Sequence, residues 1–370
     1  MAKRVCTEGA NWSNLPTDLL QSIVKELNCE DMTRFKAVCL SWNIAVRSHM
    51  SSLIPSMLTC TTSNEQQHHE KHHKAKISFS RFFSLTQNKV YEVKKVFGRF
   101  SDFCCVGSSC GWLVILDAKK DPKLHLVDPF TGFEIGGFPS VRSLFPERIR
   151  RREDMIAKAI LSSDPYVNNK FVVVVMHSFS QGIAFCEQGD KQWTEVSESE
   201  QDDQEQDDED KHYCDIIHHN EKLYALTLEL GQVEVWKLQL QRHDRGSSPT
   251  KLFTIECLTV LDEWRTYGLD LYRLNTMCYK VRCHLVESSS GEILLVLRLV
   301  GKYDNMSSIG FITRRFAAYK LDSSGQGWVS IMSVSDRAKL IAEYQHCVEY
   351  ERYSTYNSDD YLTQSLIRLD

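Results

Sequence analysis

No run of apolar residues in this 370-residue chain approaches the ~18 to 20 that a membrane span needs. The purest runs are residues 171–176 and 293–300, and Arg298 interrupts the second, so no membrane is expected among its partners. The opening MAKRVCTEGANW has no apolar stretch of the kind that marks a signal peptide, and the expectation is a protein kept inside the cell, in the cytoplasm, the nucleus or both. A second C-x-x-C and a His pair at zinc-finger spacing are missing too: Cys104, Cys105 and Cys110 cluster alone, and no metal site is expected. The thirteen cysteines, an odd number spread along the chain, read as thiols in a reducing compartment and as small buried hydrophobes rather than a disulfide framework. Neither G-x-x-x-x-G-K-S/T nor a G-x-G-x-x-G between strand and helix occurs, which removes nucleotide binding and leaves no cofactor to expect.

What is present is the composition of an ordinary soluble domain, 42% hydrophobic and 25% charged. The formal charge of -5 is unevenly placed. Residues 198–210, ESEQDDQEQDDED, hold nine acids and no base, so the rest of the chain carries a net +4, too little for a nucleic-acid footprint. Such a run cannot bury enough apolar surface to order itself and reads as a solvated loop inserted between strands, or else as an electrostatic docking segment. RIRRRED at 148–154, with Glu147 beside it, reads as a salt-bridged surface segment rather than a nuclear address.

From about Leu15 to His49 the apolar residues recur at helical spacing. Leu15, Leu19, Leu20, Ile23, Val24 and Leu27 cover roughly half of a helix circumference at ~100° per residue. Pro16 suits a first turn, and Asp18 complements the helix dipole. Met32, Phe35, Val38 and Cys39 suggest a second short helix, and Trp42, Ala45, Val46 and His49 a third. Three helices in about 40 residues make too small a core to stand alone. The wide apolar face of the first is therefore expected to meet either an external protein or the rest of the chain.

The stretch NLPTDLLQSIVKELNCEDMTRFKAVCLSWNIAV resembles an F-box, with its Leu-Pro opening, Leu-Leu pair, following Ile and closing Val-Cys-x-x-Trp. The resemblance implies docking on a Skp-family adaptor and, through it, on a cullin. It assigns the adaptor contacts to Leu15, Pro16, Leu19, Leu20, Ile23, Leu27, Phe35, Val38, Cys39 and Trp42, with Leu40 and Ser41 standing where many F-boxes carry a basic residue.

Residues 51–76 are polar, without sustained periodicity, and read as a linker; their His68, His69, His72 and His73 lack the supporting ligands of a metal site. From Ile77 the period changes to two. GWLVILD, LHLVD, KFVVVVMH and DIIHHNEKLYALTLELGQVEVW are β-type runs bracketing Gly, Asn or Asp, as hairpins do. Trp112, Trp193 and Trp328 each follow such a turn, 81 and 135 residues apart, which divides into intervals near 40 and 45, the length of a propeller blade. On that count the region makes roughly six blades, with a pair of β-sandwiches as the alternative.

GSSCGWLVILD, LHLVDPFTG, IAKAILSSDP, AFCEQGDKQWTEV, LYALTLELGQVEVW, HLVESSSGEILLVLR and YKLDSSGQGWVSI follow in order the pattern of the KIB-type β-propeller of plant F-box proteins, over about residues 80 to 338. The resulting expectation is a multidomain chain: a small all-α F-box at 11–50, a linker at 51–76, an all-β propeller of roughly six blades at 77–345 bearing the acidic insertion, and a divergent tail at 346–370. The implied role is the substrate-recognition subunit of an SCF-type E3 ubiquitin ligase, non-catalytic in itself, whose propeller binds a target protein. The rival expectations are an F-box scaffold without a degradative role and a hydrolase.

The hydrolase rests on Gly107-Ser108-Ser109-Cys110-Gly111, which fits the G-x-S-x-G nucleophile elbow. An elbow needs a helix after the serine, and the residues that follow, WLVILD, have no helical face. A hairpin turn, with Gly111 permitting positive φ, is the expectation. Asp128 to Gly132, DPFTG, reads likewise as a turn.

Overall fold

The computed structural model describes residues 12–27, 29–50, 56–63, 76–84, 89–93, 103–117, 121–128, 132–145, 155–177, 181–197, 212–227, 232–238, 249–257, 279–288, 291–305, 308–331 and 365–369. The acidic run, RIRRRED and the four linker histidines lie outside them.

After a 3-10 turn at Trp12–Asn14, three helices follow at the expected places: α1 (Thr17–Glu26), α2 (Cys29–Lys36) and α3 (Leu40–Met50). Pro16 occupies the N-cap position of α1, where its missing N–H leaves no gap, and Asp18 sits in the first turn. Leu20, Val24, Met32, Phe35, Ala45 and Val46 form a core belonging to the three helices themselves.

Among the described residues twenty strands follow. β1 (Ser56–Ser63), β2 (Lys76–Ser84) and β3 (Lys89–Val93) begin blade 1. β4 (Phe103–Ser109), β5 (Trp112–Asp117), β6 (Lys123–Val127) and β7 (Glu134–Ile135) form blade 2. β8 (Ile156–Leu161), β9 (Val172–His177), β10 (Gly182–Glu187) and β11 (Thr194–Glu195) form blade 3. β12 (Tyr213–His219), β13 (Lys222–Thr227), β14 (Gln232–Lys237) and β15 (Thr250–Glu256) form blade 4, and β16 (Tyr279–Glu287), β17 (Ile293–Asn305), β18 (Ser308–Leu321) and β19 (Trp328–Ser330) form blade 5. β20 (Ser365–Leu369) returns to pair antiparallel with β1 and completes blade 1.

The described residues thus make five four-stranded sheets, against the roughly six that the tryptophan intervals suggested. The three tryptophans are not equivalent. Trp112 opens the second strand of its blade, whereas Trp193 precedes, and Trp328 opens, a fourth strand, so their spacing mixes whole and half blades. Two further boundaries are corrected. The linker at 51–76 contains β1, and the tail at 346–370 contains β20. SMLTCTTS escaped notice because it is rich in Ser and Thr, yet β-branched Thr suits a pleated strand once neighbours supply the pairing.

Successive blades pack through their first strands, β20 beside β4, β4 beside β8, β8 beside β12 and β12 beside β16. Apolar layers fill the gaps between blades. Trp112, Val114, Leu116, Val173 and Val175 lie between blades 2 and 3, Val172, Val174, Ile216 and Trp236 between 3 and 4, and Val233, Val235, Leu285 and Leu295 between 4 and 5. β5 and β9 are buried along their whole length; on β9, Val173 and Val175 enter the layer towards blade 2 and Val172, Val174 and Met176 that towards blade 4, which is why VVVVMH is a continuous apolar run instead of an alternating one.

Polar staples cross the same gaps. The buried Asp215 of β12 accepts the backbone N–H of Leu285 of β16 at 2.9 Å and that of Ile216 at 2.9 Å, and it pairs with Lys158 of β8, so one carboxylate holds three blades together. His284 Nδ1 lies 3.9 Å from Oδ2, the oxygen that accepts the Leu285 N–H.

The G-x-S-x-G motif is divided between packing and turn geometry. Ser109 ends β4, Cys110 and Gly111 have φ of 53° and 74°, and β5 begins at Trp112, a two-residue hairpin with no helix after it. The Ser109 hydroxyl oxygen accepts the Leu161 N–H at 3.1 Å and so joins blades 2 and 3. Gly107 is needed for a different reason: a Cβ there would stand 2.0 Å from the Ala159 carbonyl oxygen of β8. Gly107→Ala is therefore expected to force the two blades apart and to destabilise the protein by about 3 kcal/mol, at the upper end of the overpacking range. An unchanged urea midpoint would contradict that contact.

Candidate docking face

The helical unit presents one set of apolar side chains inward and another outward. On α1, Leu20 and Val24 are buried at 1% and 0% exposure, whereas Leu19 and Ile23 are 50% and 39% exposed. The turn between α2 and α3 adds exposed Val38, the first residue of α3 adds exposed Leu40, and the first 3-10 turn adds exposed Trp12. Large apolar side chains left in water at this density make this face a candidate docking surface.

The ten residues assigned from the family pattern separate accordingly. Pro16, Leu19, Ile23 and Val38 are exposed, and Leu15, Leu27, Cys39 and Trp42 are half-buried. Leu20 and Phe35 are corrected to core residues, since both belong to the apolar centre of the helical unit and reach no surface. Trp42 acts mainly as a clamp: its ring stacks on Phe35 with centroids 4.1 Å apart, and its indole N–H donates to the Trp12 carbonyl at 3.0 Å. The Ser41 hydroxyl donates to the Ser13 carbonyl at 3.1 Å. These two bonds pin the N-terminal turn against α3. Trp12 and Leu40 were missed because the face was read by helical period, and both lie just outside a helix or at its first residue.

Cys39 sits immediately before α3, with its Sγ 3.1 Å from the Ser41 hydroxyl oxygen. That hydroxyl, then the backbone N–H of Trp42, hold the thiol below the ordinary cysteine range. Elsewhere the direction is opposite. Burial pushes the Cys186 thiol well up and that of Cys257 to about 12, while Cys283 is raised first by its hydrogen bond with Cys214 and then by burial. Alkylation of the folded protein by iodoacetamide near pH 7 is expected to modify Cys39 well before Cys186, Cys257 or Cys283, because the thiolate is the attacking species. Peptide mass mapping reads the order, and labelling of all four at similar rates would overturn it.

Among the described residues no three His, Cys, Asp or Glu side chains are grouped to hold a metal, and no helix is long and apolar enough to cross a membrane.

A three-helix unit with an outward apolar face, joined to four-stranded blades, defines an F-box protein of the β-propeller kind. Residues 12–52 match the F-box domain, residues 82–359 match the KIB1-4 β-propeller, and the chain belongs to that KIB1-4 family. Its relatives include the probable F-box protein At4g22060 of Arabidopsis thaliana, 23% identical over 359 residues that span 90% of this chain and 79% of the relative. The F-box/kelch-repeat protein KIB1 of the same plant is 23% identical over 339 residues, 92% of this chain and 75% of its own length. The F-box protein At2g14290, also from Arabidopsis thaliana, is 28% identical over 189 residues, 50% of this chain and 48% of its own. F-box plus propeller is the arrangement typical of substrate-recognition adaptors, F-boxes generally bind Skp1-type adaptors, and F-box proteins are generally non-catalytic.

Proposed function

We propose that this chain is the substrate-recognition subunit of an SCF-type E3 ubiquitin ligase. The F-box docks on a Skp-family adaptor and through it on a cullin, and the propeller holds a target protein. The observation that carries the reading is the exposed set Trp12, Leu19, Ile23, Val38 and Leu40 on helices whose own core is already complete. The chemistry asked of the chain is modest. Tethering a target beside the transferase raises its effective concentration, so the chain itself supplies neither nucleophile nor general base. This role belongs in the cytoplasm or the nucleus.

The test separates docking residues from folding residues. Leu19→Asp with Ile23→Asp is expected to lower capture of a Skp-family adaptor about 100-fold or more, since two central interface contacts worth about 2 kcal/mol each are replaced by charges that would have to be buried. The far-UV circular dichroism of the variant stays that of the parent, because both positions face solvent in the free chain. Equal adaptor recovery from parent and variant in a pull-down would falsify the docking assignment. Target half-life with and without proteasome inhibition then distinguishes a degradative subunit from a scaffold.

A further inference from the structure

The F-box and the propeller meet at a place that neither domain explains alone. Lys36, the last residue of α2, puts its Nζ 3.5 Å from Oδ2 of Asp128, the residue directly after β6, and the two side chains are 3% and 0% exposed. A charge removed from water this completely is tolerated only when a counter-charge is held in place for it.

Both members are fixed by their own domains. The Asp128 backbone N–H donates to the Phe133 carbonyl and its carbonyl accepts the Gly132 N–H, each at 2.9 Å, and these two bonds hold the Asp128 backbone in position. The Tyr166 hydroxyl donates to the same Oδ2 at 3.4 Å. Tyr166 is itself set by Asp164, whose Oδ1 accepts the Tyr166 N–H at 3.0 Å and the Trp112 indole N–H at 3.0 Å, with the Trp112 and Tyr166 rings 4.8 Å apart. On the helical side the Lys36 carbonyl accepts the Asn43 side-chain N–H at 3.4 Å, and the neighbouring Phe35 is stacked on Trp42.

Chain topology brings the two domains to the same end. β1 runs opposite to β20, so it enters blade 1 where the first strands of the blades finish, and Asp128 follows β6 at that end of blade 2. Only residues 51–55 separate α3 from β1, a reach of roughly 20 Å at most.

We propose that Lys36, Asp128 and Tyr166 form a joint that couples the F-box to the propeller, so that neither moves independently of the other. The joint fixes where the adaptor-facing residues point relative to blades 2 and 3, which makes these three residues positioning residues for whatever the propeller holds. The ligase reading is not needed for it.

Hydrogen exchange read by mass spectrometry on the full chain tests the coupling, using Lys36→Met, Asp128→Asn and the two together. Asp128→Asn, a change in the propeller, is expected to raise exchange in α2 and α3 about tenfold. Lys36→Met, a change in the F-box, is expected to raise exchange in β6. The double variant exchanges no faster than either single one, because each removes the same interaction. Faster exchange confined to the mutated domain, or single effects that add, would overturn the proposal. If Asp128→Asn also deprotects β12 and β16, the propeller itself has opened and Lys36→Met decides alone: faster exchange in β6 supports the joint, and unchanged exchange there refutes it.

Discussion

Trp112→Ala is expected to lower the stability of the folded chain by about 3 to 5 kcal/mol, the range for deleting a large buried aromatic. Trp112 is wholly shielded from solvent at the start of β5, within the apolar layer between blades 2 and 3. Three losses coincide in the substitution. A large volume is vacated between two sheets whose backbones hold each other at a fixed distance, so the cavity collapses poorly. The Asp164 carboxylate loses the indole N–H that it accepts at 3.0 Å. The Tyr166 ring loses its partner at 4.8 Å, and with it part of the support beneath Asp128. Urea titration followed by circular dichroism reads the change, and a midpoint equal to the parent's would show that Trp112 does not fill this layer. Ser109→Ala, three residues away, removes one hydrogen bond and should cost about 1 kcal/mol.

Asp215→Ala is the second large effect, also about 3 to 5 kcal/mol, and its origin is electrostatic. Removing this carboxylate leaves the Leu285 N–H without the acceptor it uses across the blade 4 to blade 5 gap, and it separates Lys158 from its counter-charge. Lys158→Met should cost less, because the lysine side chain is one-third exposed and water already shares its solvation. The ordering of the two variants is the sharper test. If Lys158→Met destabilised as much as Asp215→Ala, the pair itself, rather than the buried acceptor of two backbone N–H groups, would be what holds the blades.

Several parts of this architecture were legible in the residue string. The G-x-S-x-G motif was separable from a catalytic elbow by WLVILD alone, since an all-apolar run without a helical face cannot supply the helix that an elbow needs. The three helices were readable from period and from Pro16. Their division into inside and outside was not. Leu19, Leu20, Ile23 and Val24 are all apolar, and a stripe covering half a helix cannot say which edge faces its own core and which faces a partner; that depends on where α3 lies. The tryptophan intervals did not mark whole blades, because the three buried tryptophans stand at different strands of their sheets. The joint between Lys36 and Asp128 joins residues 92 apart in the chain, each unremarkable in its local sequence, and only the meeting of two domains reveals it.

The pairing of β20 with β1 bears on how the chain is made. Among the described residues sixteen strands, the four other blades, lie between β3 and β20, so blade 1 lacks its innermost strand until those blades have been synthesised. Through that interval the edge of β1 that β20 will occupy is an open row of backbone donors and acceptors, the kind of edge that recruits strands from other chains. Completion of blade 1 therefore waits on the blades that intervene. A chain released before β20 has been made is not a slightly shortened propeller but one with an unzipped seam, fit for quality control rather than for service.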